Sequence, residues 1–110
     1  MAKIELQDFV KYGKLFEVYG KLLSEDRQKI MSLYFDFNMT LAEIANEKNI
    51  SRQAVLDAVD KSCHKLEEYE SVLKVVEKNQ ILEERLREIC DDEGCTKEIK
   101  SKVEEILREL

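Results

Sequence analysis

The absence of proline constrains this chain more than any other feature. In 110 residues there is no proline, and there are only three glycines, Gly13, Gly20 and Gly94. Proline opposes a helix interior by about 3 kcal/mol and glycine by about 1 kcal/mol, so little here interrupts helix. Leu, Glu and Lys dominate and β-branched runs are absent, which predicts an all-α fold. Turns then fall to Asn, Asp, Ser and Thr, the residues that also cap helices. The length suits one domain around one core, here residues 1–110, with a central part at 24–67 and a helical extension over 68–110.

The pattern predicts five or six helices. The first covers about 7–23, where Phe9, Tyr12, Phe16, Tyr19 and Leu23 fall at spacings of three and four. It contains a short repeat, YGKLFEV followed by YGKLLSE, which sets Gly13 and Gly20 one heptad apart. Two tolerated glycines in an ordinary core stripe is the reading favoured over a close backbone approach. Ser24 caps a second helix over about 25–35, with Ile30, Leu33, Tyr34 and Phe37 as its apolar residues.

The segment from Thr40 to Val55 is the most informative. Thr40 and Glu43 form a capping box that starts a helix at Leu41. Asn49 suits the left-handed conformation that ends it. Ile50 is expected to plug the turn, Ser51 to cap the next helix, and Ala45 to allow a close crossing. A short capped helix, a tight turn and a second capped helix make a helix-turn-helix. The second of these helices has Val55, Val59, Cys63, Leu66, Tyr69, Leu73 and Val76 in register. It is expected to run to about Glu77, with Asn79 as the weak point. A further helix is expected over 81–90 with Gly94 as its C-cap, and a last one follows a Thr96 cap.

Composition excludes several functions. No stretch approaches the roughly 20 apolar residues of a spanning helix. Residues 1–9 carry Glu5 and Asp8 and lack an apolar signal core, so a cytoplasmic location is the expectation. Cys63, Cys90 and Cys95 are an odd number and are expected as reduced thiols. Together with His64, the only histidine, they fit no standard zinc spacing, so no metal and no cofactor is expected. His64 and Glu68 stand four apart, a spacing typical of a surface contact. No nucleophile with a partnered base and no phosphate loop is evident, and the chain is read as no enzyme.

Two family resemblances follow from these residues. The run LLSEDRQKIMSLYFDFNMTLAEIANEKNISRQAVLDAVDKSCHKLE resembles the fourth conserved region of bacterial sigma factors, which reads a promoter element in the major groove. The runs YGKLFEVYGKLLSEDRQKIMSLYF, LAEIANEKNISRQAVLDAV and KLEEYESVL are similar to the YlxM family of small bacterial proteins, and this likeness covers most of the chain. Residues 51–55 and 66–70 carry it best. The resemblance implies a sigma-factor-like helix-turn-helix domain with a helical extension. It also implies regulation of the signal recognition particle pathway, beside whose components such proteins are encoded.

The helix-turn-helix reading presents Ser51, Arg52, Gln53, Leu56, Asp57 and Lys61 as candidate nucleic-acid contacts. Arg52 can pair with guanine or phosphate, Gln53 with adenine, and Ser51 with phosphate. Charge opposes this. The chain carries a net −6, and residues 51–65 offer Arg52, Lys61 and Lys65 against Asp57 and Asp60. DNA affinity rests on phosphate neutralisation, so a monomer is expected to bind DNA weakly. A protein partner, namely a component of the signal recognition particle, is the preferred expectation, and sequence-specific DNA binding is the alternative. The heptad repeat and the surplus apolar surface also point to a homodimer.

Overall fold

The computed structural model of the protein describes residues 6–92, 94 and 96–110. Cys95 lies outside the described residues. Among them are six α-helices, a single 3-10 turn and no strand, as the composition predicts. The α-helices are α1 (Leu6–Tyr19), α2 (Glu25–Phe35), α3 (Leu41–Lys48), α4 (Arg52–Leu73), α5 (Val75–Asp91) and α6 (Lys97–Glu109). The 3-10 turn, Gly20–Leu22, closes the end of α1. No helix among the described residues is long and apolar enough to cross a membrane. By packing the chain divides into two compact units, Met1–Leu73 and Lys74–Leu110.

In the first unit α4 is the hub, packing against α1, α2 and α3. Val55, Val59, Cys63 and Leu66 form its buried side at spacings of four and three. They meet Leu15, Tyr19 and Leu23 from the α1 region, Ile30 and Met31 from α2, and Ile44 from α3. Each fully buried aliphatic side chain contributes about 1.5–3 kcal/mol, so this interior fixes α4 on its neighbours. Leu15 and Met31 belong to the core although the expected stripes omitted them. Phe37, expected in the α2 stripe, lies beyond the helix and is 70% exposed. The aromatic residues of α1 instead meet α2 at its flank, with Phe9 5.8 Å from Tyr34 and 4.9 Å from Phe35. Ser62 is fully buried, and its hydroxyl has no hydrogen-bond partner among the described residues.

Three boundaries differ from expectation. The long fourth helix stops at Leu73, where Lys74 adopts φ 53°, ψ 31°, and Asn79 lies inside α5. Leu66 is the last fully buried residue of α4, while Val72 and Leu73 are exposed. The Ser71 hydroxyl donates to the Glu68 carbonyl at 2.7 Å, a local bond that competes with helix continuation. Helix α5 accordingly begins earlier than expected, at Val75. Gly94 is not its left-handed cap, since its φ is not positive; its amide donates to the Asp92 side chain at 3.1 Å. In the second unit α5 packs on α6, with Leu86 and Val103 buried, and Thr96 caps α6 by accepting from the Ile99 amide at 3.2 Å.

Candidate functional site: the helix-turn-helix face

Local bonds fix the turn between α3 and α4. The Thr40 hydroxyl accepts from the Glu43 amide at 3.1 Å, and the Glu43 carboxylate accepts from the Thr40 amide at 2.9 Å. Those bonds hold the Glu43 carboxyl below its ordinary pKa. Asn49 sits at φ 57°, ψ 42°, the left-handed conformation expected of it. Its amide donates to the Asn46 carbonyl and the Ile50 amide to the Ala45 carbonyl at 3.0 Å, the Schellman closure. Ala45 is buried at the crossing, as its size requires. Ile50 is 40% exposed, so it borders the turn and does not plug it; Ile44 is the residue that fills the interior there. A salt bridge of 3.0 Å from Lys48 to Asp26 ties α3 to α2.

Helix α4 starts where Ser51 predicts. The Ser51 hydroxyl accepts from the Ala54 amide at 3.0 Å, which commits one of its lone pairs to the cap. Arg52, Gln53, Asp57 and Lys61 are exposed and Leu56 is half-buried, all within the first three turns. Gln53, Asp57 and Lys61 recur every fourth residue along the outer side, opposite Val55, Val59 and Cys63. Asp60 and His64 stand exposed on the same outer surface. Among the described residues Arg52, Gln53, Asp57 and Lys61 have no ion-pair or side-chain hydrogen-bond partner. Lys65 is drawn toward Glu68 at 3.9 Å and lies 5.9 Å from the Tyr69 ring. The free cations at this end of α4 are therefore Arg52 and Lys61, against Asp57 and Asp60.

The residues that orient α4 escaped the sequence pattern. The Tyr12 hydroxyl donates to Glu67 at 2.7 Å, Lys11 donates to the same oxygen at 3.0 Å, and Tyr19 donates to Glu70 at 2.6 Å. The Tyr12 bond, then the Lys11 bond, lowers the Glu67 pKa. The same bond, with burial, raises the Tyr12 pKa well above the ordinary phenol value. Tyr12 and Tyr19 are the heptad-related tyrosines of the repeat, which thus turns toward α4. The one available signal was the stretch Leu66–Glu70, which carries the family resemblance and supplies both glutamates.

Cysteine chemistry at this face is quiet. Burial, with help from Asp60 and Glu67, pushes the Cys63 thiol up to about 12, so it stays protonated and unreactive. Its neighbour His64 points elsewhere on the helix, exposed where Cys63 is buried. Among the described residues no three His, Cys, Asp or Glu side chains converge to hold a metal ion.

Residues 6–106 match the protein family described as "Putative helix-turn-helix protein, YlxM / p13 like". The chain belongs to this family. The match takes in α1 to α5 and most of α6, so the C-terminal hairpin is as much a family feature as the helix-turn-helix. A UPF0122 protein of Clostridium perfringens is 34% identical over 109 residues, covering 96% of this chain and 97% of its own length. One from Halalkalibacterium halodurans is 36% identical, over 92% of this chain and 95% of its own. One from Lactococcus lactis is 37% identical, over 82% and 85%. The family is described as one of helix-turn-helix proteins.

Proposed function

We propose that this chain is a non-enzymatic regulatory protein that acts in the signal recognition particle pathway, and that the outer face of α4 holds a protein component of that machinery. One observation carries the reading: the face is open and polar yet nearly neutral, with Arg52 and Lys61 offset by Asp57 and Asp60. A surface for duplex DNA needs a cation for each phosphate it neutralises, and carboxylates at 57 and 60 repel the backbone. A protein partner instead favours alternating charge, which sets orientation and excludes wrong partners. The YlxM resemblance supports the choice of pathway.

Sequence-specific DNA binding is the second reading, favoured by Arg52 and Gln53 standing unpaired at the start of α4 behind a rigid Schellman turn. Two measurements separate the readings. Immobilised chain is expected to retain purified signal recognition particle proteins, and Asp57→Lys to weaken that capture about tenfold. Labelled duplex DNA is expected to show little anisotropy change even at about 50 mM salt. Duplex binding that falls steeply toward about 200 mM salt and disappears in Arg52→Ala, without capture of those proteins, would replace the first reading by the second.

A further inference from the structure

The unit from Lys74 to Leu110 leaves much of its apolar surface open. Leu86 on α5 and Val103 on α6 are buried. Ile81, Leu82 and Ile89 remain 42–47% exposed, and Ile99, Ile106 and Leu110 remain 40–44% exposed. A unit of this length falls below the roughly 40 residues at which a lone core suffices, and two helices offer only one seam. Its second helix carries a further pattern. Ile99, Ile106 and Leu110 are spaced seven and four and share one exposed stripe, flanking Val103, which the seam with α5 already buries. Charge along α6 is polarised: Lys97, Lys100 and Lys102 outnumber Glu98 in its first half, while Glu104, Glu105 and Glu109 outnumber Arg108 in its second.

We infer that the α5–α6 hairpin is a self-association surface, on which two copies of this chain join with their α6 helices antiparallel. Setting Ile99 of one copy on Leu110 of the other, with the two Ile106 side chains between these contacts, lays the basic half of each α6 along the acidic half of the second. It brings Lys102 beside Glu109 of the second copy, and two-fold symmetry makes that contact twice. A parallel pairing sets like charges together. The occupant follows from this self-complementarity, because one patch supplies both halves of a matched surface, as an isologous contact requires. The pairing of Lys102 with Glu98 within α6, at 3.7 Å and with both side chains largely exposed, is too loose to compete.

Sedimentation equilibrium of the full chain is expected to give the mass of two copies. Lys102→Glu and Glu109→Lys are each expected to raise the dissociation constant about tenfold or more, since each creates like-charge contacts. An equimolar mixture of those two variants is expected to restore the dimer, because both contacts in the mixed pair become attractive. Ile99→Lys with Ile106→Lys is expected to give a monomer, with circular dichroism checking that helix is retained. The charge variants sit at exposed positions, so the mixing result stands even if the apolar variant fails to fold. A wild-type chain that stays monomeric at its highest soluble concentration overturns the inference. So does a dimer indifferent to every α6 variant. A monomer whose α6 apolar face is protected in hydrogen exchange assigns that face to the chain's own first unit and overturns it equally. None of these outcomes depends on what the α4 face binds.

Discussion

Gly13 and Gly20 occupy equivalent places in a repeated heptapeptide, yet the fold uses them differently. A Cβ on Gly20 would lie 2.8 Å from the Phe16 ring, closer than real side chains approach. A Cβ on Gly13 would meet Phe35 at 3.7 Å, an ordinary contact. Gly13→Ala is therefore expected to raise stability by about 0.5–1 kcal/mol, by removing unfolded-state freedom inside a helix. Gly20→Ala is expected to lower stability by about 1 kcal/mol as the Phe16 ring is displaced. Urea denaturation of the two variants checks both signs. Nothing in the repeat distinguishes the two positions, because the difference lies in where the Phe16 ring rests after folding. The caps at Ser24, Thr40, Ser51 and Thr96 were legible, because each is made by residues three apart. The Tyr12–Glu67 bond was not, since 55 residues separate its ends and periodicity carries no information about pairing across helices.

That bond ties the first helix to the fourth. Glu67 has a folded pKa below its ordinary value, so its contribution is present above the ordinary carboxylate range and is lost as pH falls through the depressed value. Tyr12 has a folded pKa above its ordinary 10, so its contribution is full below pH 10 and is lost as pH rises through the elevated value. Glu67→Gln is expected to cost about 1 kcal/mol near neutral pH, the worth of a part-exposed charge-assisted hydrogen bond. It is also expected to flatten both the acid and the alkaline limbs of the stability profile. Denaturant midpoints measured from acid to alkaline pH check this, and a Glu67→Gln profile parallel to that of the wild type would exclude the bond as an α1–α4 clamp. Element boundaries illustrate the same division between local and tertiary causes. The turn at Asn49 is written in its own residues, whereas the end of α4 depends on where cover by other helices thins, beyond Glu70. Ile50 misled for that reason as well: an apolar residue in a tight turn suggests a plug, but Ile44 already occupies the interior.

At the scale of the whole chain, an all-α fold was readable from composition, while its division at Lys74 was not, because no glycine or proline marks it. The two units hold separate cores, one built on α4 and one on the Leu86–Val103 seam. If self-association supplies what the smaller core lacks, the two units answer differently to dilution, since only a structure that binds its own copy gains stability with concentration. The chain carries a built-in reporter for this. All four tyrosines, Tyr12, Tyr19, Tyr34 and Tyr69, lie in the first unit, whereas helix is present in both. Tyrosine fluorescence is therefore expected to melt at a temperature independent of protein concentration. Far-ultraviolet ellipticity is expected to contain a second component whose midpoint climbs by several degrees for each tenfold rise in concentration. Coincident, concentration-independent melts by both probes would mean that the hairpin draws its stability from its own chain, and the reason for pairing two copies through α6 would be gone.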